Sequence, residues 1–127
     1  MTLKVIVRGK TRGTILVSKN PINFLGGVDK KTGRIRDEKH DLFGKILANK
    51  ILVFPYGIGS SVGAYTIYSL KYNKCAPIAM ICLKADLTTA SGCAISNIPL
   101  LVAEKEEYES LKDGQDVFVD AIDGKIL

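Results

Sequence analysis

The run Pro55-Tyr-Gly-Ile-Gly-Ser-Ser-Val-Gly-Ala64 carries the residue types in this chain best suited to chemistry. It lies between a continuous apolar stretch, Lys50-Ile-Leu-Val-Phe-Pro55, and a helical pattern that reaches about Asn73. Glycines let a backbone turn sharply and come close to a ligand. The first amides of the helix that follows have no intrahelical partner and sit at the positive end of its dipole. Together these features predict a cradle for a carboxylate or phosphate, with Gly57 and Gly59 offering backbone groups and Ser60 and Ser61 adding hydroxyls. It is not a Walker loop, because no lysine follows the last glycine. Nor is it a G-x-S-x-G elbow, because no histidine follows to serve the serine. The same residues also fit an ordinary glycine–serine turn in which Ser60 or Ser61 caps the helix.

Other candidate groups read more plainly. The three cysteines, Cys75, Cys82 and Cys93, show no C-x-x-C spacing, and the single histidine, His40, is far away in sequence. They are expected to be small, reduced, buried side chains, with no metal centre in this chain. His40 sits in a charged loop, where a solvated or hydrogen-bonded ring is expected. Gly26, Gly27 and Asp29 either line the site or form a tight turn in which the aspartate bonds its own backbone. Tyr65, Ile67, Tyr68 and Leu70 are spaced like a helix packing face. The acidic run from Glu104 to Glu109 reads as solvated surface.

Elements must hold these groups. Thr2 to Arg8 alternates like a half-buried strand, Gly9 to Gly13 reads as a turn, and Thr14 to Ser18 as the returning strand. Pro21 to Lys45 is irregular, and a stretch of that length inside a domain is usually functional. Lys50–Pro55 and Pro77–Leu83 read as strands buried on both faces. Asp86 is placed to cap a small-residue helix through Asn97. Ile98–Val102 is a short strand, Glu104–Leu111 a charged helical turn, and Gln115–Asp120 alternates before an Asp123-Gly124 hairpin turn into Lys125–Leu127. The expected class is α/β, with a β-sandwich or barrel-like part and helices on a short parallel sheet.

Composition bounds the function. The chain has 127 residues, 46% hydrophobic and 24% charged, which suits one globular domain with no disulfide staple. No apolar run approaches the ~18 residues of a spanning helix, and the first residues lack the apolar core of a signal peptide, so a cytoplasmic protein without membrane contact is expected. The formal charge is +5, unevenly spread. Residues 1–50 hold 12 Lys/Arg against 4 Asp/Glu, while residues 51–127 hold 6 against 9. With aromatics at 7% and no basic recognition helix, this points to an acidic partner or anionic substrate rather than nucleic acid.

Several blocks together resemble the small subunits of the aconitase X family, in its archaeal phosphomevalonate dehydratase branch. They are Pro21-Ile-Asn-Phe-Leu-Gly-Gly-Val-Asp29, Thr32-Gly33, Lys50 through Tyr65, Ala76-Pro77, Ala90-Ser-Gly92 and Ile98-Pro-Leu100. Lys30 and Asp41 stand where that pattern has prolines. The resemblance implies a single swivelling β/β/α domain over residues 1–127, the counterpart of aconitase's mobile fourth domain. It implies a hydro-lyase active only with a large subunit in a heterodimer, with Ser60 as proton acceptor; the cradle chemistry then leaves Ser61 with the Gly57 and Gly59 backbone to bind anionic substrate oxygens. It also implies a 4Fe–4S iron-sulfur cluster in the large subunit and no cofactor in this chain. The implied reaction removes water from (R)-5-phosphomevalonate to give trans-anhydromevalonate 5-phosphate, in the mevalonate route to isoprenoids.

Rival readings remain open. A phosphohistidine swivelling domain has a similar ending but needs a histidine where this chain has Thr88-Thr-Ala-Ser-Gly92. A dehydratase of another hydroxy acid, such as hydroxyproline, would use the same machinery. A non-catalytic module would use the cradle to bind anions alone.

Overall fold

In the computed structural model, which describes residues 3–127, β1 (Lys4–Val7) and β2 (Lys10–Val17) open the chain. β3 (Ile22–Asn23) and the single turn α1 (Phe24–Gly27) follow, then β4 (Lys50–Phe54), β5 (Gly57–Ile58) and α2 (Gly63–Tyr72). The remainder is β6 (Ala79–Cys82), α3 (Leu87–Ser96), β7 (Leu100–Val102), α4 (Lys105–Ser110), β8 (Asp116–Asp120) and β9 (Lys125–Ile126).

Seven strands form one sheet in the order β1-β7-β6-β4-β2-β8-β9. Its middle, β7-β6-β4-β2, is parallel; β1 pairs antiparallel with β7 on one side, and on the other β8 pairs antiparallel with β2 and β9 antiparallel with β8. The sheet curls into a half-barrel, and backbone bonds lash its outer segments together. The Leu3 amide donates to Gly124 O at 2.8 Å, and the Ala121 amide to Gly9 O at 2.8 Å.

Strand alternation sorts the apolar side chains into two cores. Ile15, Ile51, Val53, Ala79, Ile81 and Leu101 point into the curl. Their neighbours Leu16, Leu52, Phe54, Met80, Cys82 and Leu100 point outward, beneath α2 and α3. Both faces are covered, which is why β4 and β6 are continuously apolar. Ile67 and Leu70 of α2 and Cys93 of α3 close the outer core.

The segment between β2 and β4 is irregular but anchored. Ile22, Phe24, Val28, Ile35, Leu42 and Leu47 all join the outer core. Phe24 meets Phe54 edge-on, with ring centroids 5.8 Å apart. Asp41 latches the segment to the end of β2, its carboxylate accepting the Ser18 hydroxyl at 2.8 Å and the Lys19 amide at 2.7 Å. The Lys30 carbonyl accepts from Asn73 Nδ2 at 2.8 Å. Of the two positions where prolines were expected, Asp41 replaces the ring with carboxylate bonds, whereas the Lys30 bond uses a main-chain carbonyl that any residue supplies.

Two expectations need correction. Residues 9–13 are not a turn returning to a neighbour. β2 already begins at Lys10, pairs antiparallel with β8 over Lys10–Thr14, and then runs parallel to β4 from Thr14. β1 lies at the far edge against β7. Secondly, only Ile67 and Leu70 of the supposed packing face are buried; Tyr65 and Tyr68 turn outward. Spacing marks a face without saying which neighbour fills it.

Phe54 lies in the outer core with no exposed surface. Phe54→Ala is expected to lower unfolding stability by roughly 3–5 kcal/mol, read from urea denaturation. A loss below about 1 kcal/mol would contradict this packing scheme.

Candidate functional site

The Gly-Ser run leaves the carboxyl end of β4 and is fixed from two sides before α2 begins. On one side, β5 pairs parallel with β3, setting Gly57 opposite Ile22 and Ile58 opposite Asn23. On the other, the Gly57 amide donates to Asp86 Oδ1 at 2.7 Å. Asp86 is the N-cap of α3, and its Oδ2 accepts the Thr89 amide and hydroxyl, both at 3.0 Å. One carboxylate therefore satisfies a helix terminus and pins the loop.

Two glycines are required by this geometry. A Cβ on Gly57 would lie 2.6 Å from Thr89 Oγ1 and 2.8 Å from Asp86 Oδ2. Gly59 has φ +93°, and a Cβ there would fall 2.6 Å from Asn23 Oδ1.

The two serines differ. Ser60 Oγ accepts the Val62 amide at 3.2 Å, and Ser60 O accepts the Gly63 amide at 2.9 Å, so a tight turn leads into α2 from Ser60. Ser61 is exposed, and its hydroxyl has no hydrogen bond among the described residues. The backbone amides of Gly59, Ser60 and Ser61 are also without partners there. These open N–H groups precede the Val62 N-cap, because the first amides of α2, on Gly63, Ala64 and Tyr65, are already bonded to Ser60 O, Ser61 O and Val62 O. The anion cradle therefore lies on the loop just ahead of the helix rather than on its first turn. Gly57 does not contribute to that set. Its amide is already taken by Asp86, which corrects the expectation that it offers a donor to substrate.

The surroundings contain groups that were not singled out. Asn23 borders Gly59 and caps α1, its Oδ1 accepting the Gly26 amide at 3.3 Å. Arg36 reaches the same turn: its Nε donates to Gly26 O at 3.3 Å and its amide to Gly27 O at 2.9 Å. This sets a guanidinium on the Asn23–Gly27 turn. Asn23 and Asp86 carried a local signal, the Asx residue before a helix; Arg36 carried none. Asp29 bonds its own backbone as a turn residue does, Oδ1 accepting the Lys31 amide at 2.9 Å. That hydrogen bond is the main cause of a carboxyl held below its ordinary range, and the Arg36 charge also helps hold it low.

His40 serves the latch. Its Nδ1 accepts the Leu42 amide at 3.0 Å, which leaves the proton on Nε2 to donate to Pro21 O, also at 3.0 Å. With Nδ1 already accepting, its 3.1 Å approach to Asp41 is not an ion pair in this tautomer.

The cysteines do not converge on a metal. No group of three or more His, Cys, Asp or Glu side chains is placed to hold one among the described residues. Cys82 and Cys93 have no exposed surface, and Cys93 Sγ lies 3.6 Å from Met80 Sδ. Burial, helped by the Asp86 charge, pushes the Cys93 thiol up to about 12. Burial also raises Cys82 well above the ordinary thiol range. No helix among the described residues is long and apolar enough to cross a membrane.

Comparison with known proteins gives a consistent picture. The family whose pattern matches residues 1–127 is the aconitase X swivel domain. A phosphomevalonate dehydratase small subunit from Methanosarcina acetivorans is 51% identical over 124 residues, covering 97% of this chain and 86% of that one. One from Methanothermobacter thermautotrophicus is 46% identical, covering 97% and 95%. The crystal structure of Thermococcus kodakaraensis aconitase X in its holo-form superposes with a TM-score of 0.92 at 45% identity, covering 99% of this chain and 96% of that one.

Two measurements check this geometry. Asp86→Ala is expected to cost about 1–2 kcal/mol of stability and to speed hydrogen exchange at the Gly57 amide more than at β4 amides. Uniform exchange would contradict the pin. Native Cys82 and Cys93 should resist alkylation at pH 8, since thiolate forms only far above that pH, and react once urea unfolds the chain. Rapid labelling of either in the native state would contradict their burial.

Proposed function

Since the chain belongs to the aconitase X swivel domain family, we propose that it is the small subunit of a two-subunit hydro-lyase. The reaction is dehydration of (R)-5-phosphomevalonate to trans-anhydromevalonate 5-phosphate. The observation that carries this reading is the difference between the two loop serines. Ser60 Oγ is fixed by the Val62 amide at 3.2 Å, at the start of a helix, beside three amides without partners.

Dehydration of a 3-hydroxy acid requires loss of a proton from the carbon beside the carboxylate and departure of the hydroxyl as water. The two events need different groups. Ser60 takes the proton. A serine hydroxyl is a weak base, and its oxygen gains basicity in place only if negative charge on it is stabilised. The Val62 amide bonds that oxygen directly, and the partial positive charge of the α2 N-terminus favours the alkoxide. The amides of Gly59 and Ser61, with the Ser61 hydroxyl, hold anionic substrate oxygens just ahead of the same helix. Arg36, on the rim of the Asn23–Gly27 turn, adds positive potential for a substrate carrying both a carboxylate and a phosphate.

Departure of the hydroxyl is the large subunit's part. Burial keeps Cys82 and Cys93 protonated, and the cysteines join no group of three or more metal-ligating side chains among the described residues, so they do not fit an iron-sulfur cluster; in this reading the large subunit carries it. This division suits a chain that folds around its own two cores and, among the described residues, groups no three metal-ligating side chains.

In the reconstituted two-subunit enzyme, Ser60→Ala is expected to lower kcat by at least about 100-fold, the usual contribution of a positioned base. Ser61→Ala should raise KM more than it lowers kcat. Turnover of Ser60→Ala within a few-fold of wild type would overturn the assignment.

A further inference from the structure

Three tyrosines of α2, Tyr65, Tyr68 and Tyr72, are 67%, 48% and 77% exposed. At 3.6 residues per turn they fall within an arc of about 60°, opposite the buried Ile67 and Leu70. The row reaches the start of the helix. Val62, the N-cap of α2, is about half exposed and lies three residues before Tyr65, next to Ser60 and Ser61. Isolated exposed apolar residues are ordinary, but a contiguous band of aromatic and branched side chains marks a binding surface.

Beside the row lies a groove of about 660 Å³ between Tyr68, Ser69, Tyr72 and Asn73 on one wall and Lys30 and Lys31 on the other. It is preformed, because Asn73 Nδ2 donates to Lys30 O at 2.8 Å and ties the two walls together. Neither lysine takes part in a salt bridge among the described residues, and no carboxylate lines the groove.

Size selects the occupant. A separate small subunit has no peptide link to its partner, so contact must hold it. Stable interfaces bury roughly 800 Å² per partner, more than a five-residue loop can offer. The tyrosine row with Val62 adds on the order of 500 Å², beside the helix start where the second subunit must meet Ser60. Tyrosine suits such a role, since it offers large contact area for little rotamer entropy.

We propose that the tyrosine row and its lysine-walled groove form the main docking surface for the large subunit. That subunit seats a segment with an apolar centre and acidic flanks along α2 while its own groups reach Ser60. The inference rests on the two-subunit reading above.

The test is titration of the chain against its cognate large subunit under anaerobic conditions, with catalytic activity followed in parallel. Tyr68→Glu/Tyr72→Glu is expected to weaken Kd about tenfold or more, as loss of central aromatic contacts does. Its kcat should return when the variant is supplied in excess, because Ser60 is untouched. Lys30→Glu/Lys31→Glu should weaken binding in a salt-dependent way. Ile122→Glu, an exposed apolar residue on the turn between β8 and β9, should bind as wild type. Both pairs should melt with wild type when isolated, since their side chains are on the surface. A tyrosine pair that binds within about threefold of wild type would overturn the proposal. So would an isolated chain that is dimeric and becomes monomeric in the tyrosine pair, since a second copy would then own the surface. Ser60→Ala binding normally without turnover would leave the functional reading standing in either case.

Discussion

The carboxylate of Asp86 is the constraint on which the rest of the site depends. It accepts three donors, the Gly57 amide at 2.7 Å and the Thr89 amide and hydroxyl at 3.0 Å. These lie on two segments that come from different strands, β4 and β6. Bonds to an ionised acceptor are shorter and stronger than neutral ones, and here they hold the start of the Gly-Ser loop against the N-terminus of α3. Only a glycine at position 57 lets the backbone approach that closely. Once that end is fixed, the pairing of β5 with β3 and the left-handed turn at Gly59 set the direction in which Ser60 enters α2.

Electrostatics follow from this geometry. The open amides of Gly59, Ser60 and Ser61 gather just ahead of α2, with the guanidinium of Arg36 bonded to the neighbouring turn. The positive potential is local and directed, unlike the diffuse net charge of +5. Residues 1–50 hold most of the basic side chains, and the long segment they include folds back against α2 and the loop rather than onto a separate basic face. The same segment supplies Asn23 to the site and Lys30 and Lys31 to the groove.

Much of the fold is legible in the sequence because local rules decide it. Lys50–Phe54 and Ala79–Cys82 are apolar runs bounded by turn residues, and both are strands. Asp86 and Asn97 bound α3 as cap chemistry requires. Neighbour relations are harder. Alternation in residues 4–7 gives a strand but not its place beside β7, and the glycines at 9 and 13 mark close approaches to Pro99 and Ile78 rather than a hairpin. Helical spacing joins Tyr65 and Tyr68 to Ile67 and Leu70 without revealing that the tyrosines face outward. At the site, the Gly-Ser run stands out by composition. The bond from Gly57 to Asp86 spans 29 residues, and the contact between Gly59 and Asn23 also joins distant segments, so neither leaves a local trace.

The central claim is that Ser60 removes the proton beside the substrate carboxylate. Running the complete enzyme in heavy water and following deuterium at that carbon by NMR tests it directly. With wild type, reversal of the dehydration should place deuterium there as the reaction equilibrates. With Ser60→Ala, and substrate binding retained, incorporation should fall by at least about 100-fold. Deuterium entering that carbon at the wild-type rate in the variant would contradict the account.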